Sequence, residues 1–170
     1  VLGNSLALGS GVVTVTGPGT LDSNTTINLG NNITLNGALS TGGTADQTLS
    51  GVSSGAGSLT SNGLGNLTLS GVNTYTGGTT LSAGTLTLGN AGAISSGRLT
   101  VTGASNLNTN SPFALVNAIT LGANLNLTGH SDLTLNGVID GAAGLVKSGA
   151  GNLTLNGVNT YAGGTTLAGG

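Results

Sequence analysis

Only one stretch of this chain sets a base beside an acid: Thr128–Asp132, TGHSD, where His130 precedes Asp132 by two residues. An imidazole next to a carboxylate is the pairing that general acid–base catalysis uses. The rest of the inventory is thin. The chain has four acidic residues, all Asp, one His, and Lys147 and Arg98 as its basic residues. It has no Cys, so thiol nucleophiles, disulfides and thiolate metal sites are excluded. Tyr75, Tyr161 and Phe113 are the only aromatic residues. The Gly-rich segments SGAG (54–57) and TYTGGTT (74–80) lack the Gly-Lys-Ser/Thr signature of a phosphate loop. The spaced Asp of calcium-binding nonapeptides are missing as well. A net charge of -2 gives no cationic footprint for nucleic acid. Neither catalysis nor a cofactor or metal is expected.

Those residues must be positioned by something, and the chain says by what. Gly65–Gly84, GNLTLSGVNTYTGGTTLSAG, returns at Gly151–Gly170 as GNLTLNGVNTYAGGTTLAGG with four changes. Sliding the chain by 86 lays residues 1–84 on 87–170 without a gap, and about half the pairs are identical. Two super-repeats, 1–86 and 87–170, are therefore expected to be continuous with one another, because a fixed period marks stacked units. The candidate chemistry does not follow the repeat. His130 aligns with Thr44, Arg98 with Val12, Lys147 with Ser61 and Asp140 with Ser54. Only Asp46 and Asp132 match, each just before a strand pattern, where a turn or cap role is expected.

Within each unit, runs such as NLTLSG (66–71), RLTVTG (98–103) and DLTLNG (132–137) alternate Leu or Val with Thr or Asn and end in Gly. Period-two alternation is the signature of a half-buried strand. Gly at the ends implies turns through its tolerance of positive φ. With 34 Gly and only 4% charged residues the chain resembles disordered sequences, but 36% hydrophobic residues at regular intervals supply a core. Three aromatic residues cannot furnish the girdles of a membrane barrel, and no run has the ~18 apolar residues of a membrane helix. The fold expected is all-β, a right-handed parallel β-helix of about four coils per 86-residue super-repeat. Leu67, Leu69, Leu86, Leu88, Leu133, Leu135, Leu153 and Leu155 should stack inside, and Thr68, Thr87, Thr134 and Thr154 outside. Asn36, Asn136 and Asn156, each before Gly, should favour turns or form ladders. The absence of an initiator Met and of a signal-like start at Val1 suggests a processed or excised section.

The segment GLVKSGAGNLTLNGVNTYAGGTTLAGG (144–170) resembles the autotransporter-associated β-strand repeat, also called the passenger-associated transport repeat, of bacterial type V secretion passengers. The residues that carry the likeness are Val146, Lys147, Gly149, Gly151, Leu153, Thr154, Leu155, Asn159, Thr160, Tyr161, Gly163, Gly164, Thr165 and Thr166. The first copy departs from it, with Ser61 where the motif has Lys and Asn62 beside it. The resemblance implies a β-helical stalk that is secreted or displayed on the bacterial surface. On this basis the expectation is a non-enzymatic fibre segment whose partners are other copies of itself, end to end or laterally. An adhesin for a surface or glycan ligand is the alternative, with Tyr75, Tyr161 and Phe113 as candidate adhesive or turn-packing residues. A polysaccharide-active enzyme and an ice-binding solenoid, the latter from Thr at i and i+2 in VTVTG (13–17) and LTVTG (99–103), rank behind it. The sequons at Asn24, Asn32, Asn66, Asn126 and Asn152 follow from an Asn/Thr-rich alphabet.

Overall fold

The computed structural model describes residues 1–170 and contains 21 strands and no helix. Every strand pairing is parallel, and most join residues 20 apart, as in Val13↔Ile33, Leu39↔Leu59 and Ile119↔Ile139. A chain that meets itself every twenty residues, always in the same direction, is winding in coils. Most coils carry three short strands, for example Ile33–Leu35, Leu39–Gly43 and Gln47–Leu49. The result is a β-solenoid of about eight turns, with three sheet faces.

Face two is a seven-stranded sheet running from Gly19–Ser23 to Ile139–Gly141. Face three has eight strands, from Ile27–Leu29 to Thr165–Leu167. Face one is interrupted. Val13–Val15, Ile33–Leu35 and Ser53–Ser54 form one stack, while Phe113–Leu115, Leu133–Leu135 and Leu153–Leu155 form another. Between them the same face is occupied by Asn73–Tyr75 and a turn at 91–94, which form no strand.

Alternation places Leu, Ile and Val inward from all three faces, and 28 buried hydrophobic residues form one continuous cluster. Full burial of one such side chain is worth about 1.5–3 kcal/mol, so each coil stabilises the next through its column of aliphatic contacts. Leu67, Leu69, Leu86, Leu88, Leu133 and Leu135 are buried as their alternation implies, while Leu153 and Leu155 are half-buried near the last coil. Thr87 departs from expectation. It faces outward from the sheet yet is buried, because Asn side chains of the flanking coils cover it: its hydroxyl donates to Asn66 Oδ1 at 2.7 Å and accepts from Asn108 Nδ2 at 3.4 Å.

The glycines also correct the sequence reading. Only eight have positive φ, out of 34. At most corners glycine is needed because coils stack so closely there. A Cβ on Gly51 would collide with the Asn31 carbonyl, and one on Gly137 with the Asn117 carbonyl. Nor does any Asn before Gly adopt positive φ. Asn156 Nδ2 instead donates to Asn136 Oδ1 at 2.8 Å, forming a rung of a side-chain ladder between coils.

The coil and the super-repeat do not share a period. Eighty-six residues make four twenty-residue coils with six residues left over, about one strand and its corner. Equivalent strands therefore lie on different faces: Asn66–Leu69 belongs to face three, and its counterpart Leu153–Leu155 to face one. Thr79–Leu81 on face two likewise becomes Thr165–Leu167 on face three. The second super-repeat is the first advanced along the rod and rotated by one face.

Candidate functional site

The acid–base candidates are not brought together. His130 is exposed and makes no hydrogen bond with Asp132. Asp132 Oδ1 instead accepts the Asn152 backbone N–H at 2.8 Å, as Asp46 Oδ1 does from Asn66 at 2.8 Å. Each Asp thus caps the strand of the coil that follows its own. No three His, Cys, Asp or Glu residues cluster in a way that could hold a metal ion.

The single ion pair lies on face two. Arg98 reaches Asp140 across two coils at 2.8 Å and donates on the way to the Thr120 hydroxyl. The hydrogen bond from Thr120, and then that from Arg98, holds the Asp140 carboxyl below the usual carboxylate range. Both side chains are exposed, so the triad clasps three coils at the surface. Sequence reading treated Arg98 and Asp140 separately; the twenty-residue coil that aligns them is visible only in the strand register.

What the repeat conserves internally is its corners. Tyr75 is buried, and its hydroxyl is hydrogen bonded to Thr79, 2.6 Å away; Thr79 occupies a core position. Burial raises the Tyr75 pKa to about 12, with the Thr79 hydrogen bond working in the opposite direction. Tyr161 repeats the bond to Thr165 at 2.5 Å on the outermost coil, where it is half-buried. Tyr75 packs a corner and presents no ring surface to a ligand. Phe113 is half-buried on face one, paired with Leu133.

Buried amides do the remaining work, and sequence reading missed them. Asn31 Nδ2 donates to the carbonyls of Gly9 and Gly11, and Asn117 Nδ2 donates to those of Ser95 and Gly97, the same positions one super-repeat later. Asn73 accepts the Ser53 N–H at 2.7 Å and donates to the Ala93 carbonyl at 2.6 Å, carrying face one across its break. Its counterpart Asn159 accepts the Ile139 N–H at 2.8 Å. Both pairs are Asn in both copies, which was the available signal, although the abundance of Asn elsewhere in the chain obscured it.

Lys147, the motif lysine, occupies an inward column of face three between Leu127 and Leu167. It is only 5% exposed, and its Nζ donates to the Gly149 carbonyl and lies 3.4 Å from that of Gly169.

Parallel coils, inward Leu columns and corners fixed by Tyr–Thr and Asn–backbone bonds define a β-solenoid whose repeated unit is a structural motif. The model of the family described as Passenger-associated-transport-repeat matches the chain twice, at residues 59–88 and 145–170. The matched segments are those in which Tyr75 and Tyr161 close the corner. No curated protein and no solved structure matches the chain. The repeat and the solenoid together fit an autotransporter passenger segment.

Proposed function

We propose that this chain is a non-enzymatic, load-carrying length of a bacterial passenger, secreted or displayed at the cell surface, in which stacked coils act as a stalk or fibre. The observation that carries this reading is the unbroken core. One cluster of 28 buried side chains runs the length of the solenoid, and the side chains that sequence chemistry singles out serve mainly to tie one coil to the next. Such a body resists bending and lengthens by adding coils, whether in the same polypeptide or by end-to-end or lateral contacts between copies. Electron microscopy of native material tests the reading: thin rods of uniform width support it, and compact particles overturn it. Mass measurement of the same material separates a long polypeptide from stacked subunits.

A second reading, an adhesin passenger, draws on one feature. Val52 with Val72, and their counterparts Val138 with Val158, stand exposed at corners in both copies of the repeat. Replacing these four valines by Thr should leave the rod intact. Loss of surface attachment would then support the adhesin reading, and unchanged attachment would leave the stalk alone.

A further inference from the structure

The corner that receives Lys147 in the second copy has a counterpart in the first, and there the chemistry is rearranged. Ser61 replaces Lys147, and Gln47 replaces Leu133, the residue across the corner. Both corners hold a partly open pocket of about 10 Å³, room for one water-sized occupant. In the second copy a lysine ammonium supplies the charge, on the Gly149 carbonyl. In the first, the lining includes Thr41, Gly42, Gln47, Ser61 and Gly63 beside the apolar Ala45 and Leu67, and no residue of it carries a positive charge. Gln47 is 3% exposed; its Nε2 donates to the Gly42 carbonyl, and its Oε1 is buried with no hydrogen-bond partner. An orphaned buried acceptor is costly, and this one stands at a position where the chain's own repeat tolerates Leu.

We propose that this corner binds one monovalent metal cation, K⁺ or Na⁺, between Gln47 Oε1 and the Gly63 carbonyl. Gly63 is the counterpart of the Gly149 that meets Lys147. The bound ion does in the first copy what the lysine ammonium does in the second. Uncharged oxygens, chiefly carbonyls, are the donors that suit such ions, replacing their water shell without demanding a carboxylate. The site is independent of the passenger reading and would exist in a solenoid of any function.

Crystals of the whole chain soaked in thallous salt, a heavy stand-in for K⁺, should give an anomalous peak within about 3 Å of Gln47 Oε1. A neutral water is the competing occupant, and density there without anomalous signal overturns the proposal. In solution, thermal unfolding in KCl or NaCl should lie about 2–4 °C above that in choline chloride of equal ionic strength. Gln47→Leu should abolish that difference. Gln47→Leu combined with Ser61→Lys, which installs the arrangement of the second copy, should be equally indifferent to the ion while remaining as stable as the parent in KCl. Equal midpoints in all three salts for the parent chain, or an ion response that survives Gln47→Leu, would overturn the site.

Discussion

The two copies of the Asn-Thr-Tyr corner, Asn73–Thr79 and Asn159–Thr165, differ in sequence only at Thr76 and Ala162 and make the same internal bond, yet they differ in burial. Tyr75 has a coil stacked on either side of it and is fully enclosed; Tyr161 makes its bond to Thr165 on the outermost coil and stays half-buried. The local conformation is therefore written within twenty residues, while most of the stabilisation comes from the neighbouring coil. This is the behaviour of a one-dimensional stack, in which each unit contributes chiefly through its interface. The one-face rotation between copies makes the comparison cleaner: the corner closes the same way at two different angular positions, so no single face of the rod dictates it.

The largest effect expected from this contrast is at Tyr75. Tyr75→Ala empties a buried corner and strands the Thr79 hydroxyl, for a loss of about 3–5 kcal/mol. Tyr161→Ala should cost about 1 kcal/mol, since solvent already reaches that ring. Urea unfolding of both variants measures the difference. Equal losses would mean that the corner is a local unit and that the stack adds little. Appending one further coil after Gly170 should raise the Tyr161 cost toward that of Tyr75.

A second pair of substitutions should show no contrast between the copies. Gly51→Ala and Gly137→Ala each drive a methyl into the backbone carbonyl of the coil beneath, and both should destabilise by about 1–3 kcal/mol. Gly30→Ala is the control. Its Cβ would meet nothing, and its counterpart in the second copy is already Val116. Thermal melts that rank Gly30→Ala with the other two would refute the close-approach account of these glycines.

The gap-free 86-residue repeat pointed to stacked coils, and the alternation of Leu and Thr marked most of the inward column, because burial on one face of a strand leaves a period of two in the chain. The twenty-residue coil was less legible. Its strands are two to five residues long and differ in sequence from coil to coil, whereas the 86-residue period includes a twenty-residue stretch repeated with four changes. The rotation by one face follows from the mismatch between these periods and needs the strand register to be seen. Side-chain chemistry was the least legible. Asn73 and Asn117 look like any other Asn in this alphabet, and nothing local distinguishes a buried amide bridging two coils from one at a solvated turn. Lys147 and Gln47 sit at inward positions of face three, where alternation calls for Leu and where only the corner geometry explains a polar group.

Tyr75 also gives the molecule a response to alkali. Its pKa is about 12 when folded and about 10 when unfolded, so between those values the folded chain holds a proton that the unfolded chain has lost. Stability is therefore undiminished by this group below about pH 10 and declines as pH rises through 12. The loss is on the order of 2–3 kcal/mol, at about 1.4 kcal/mol per pH unit. Unfolding midpoints measured from pH 9 to 12 should show this decline in the parent and a shallower one in Tyr75→Phe. A parallel decline in both would place the alkaline sensitivity elsewhere.

The smallest effect belongs to the clasp on face two. Arg98, Thr120 and Asp140 join three coils, but all of this lies in solvent, where screening and side-chain entropy remove most of the gain. The Asp140 pKa is lowered, so whatever the clasp contributes is present above the ordinary carboxylate range and lost as pH falls through its folded value. Asp140→Asn should lower the melting midpoint by no more than about 1 °C in low salt, and the difference should vanish near 0.5 M salt. A larger, salt-resistant drop would mean that the surface clasp carries load along the rod, and would assign to side chains on one face a share of the stability here placed in the stacked core.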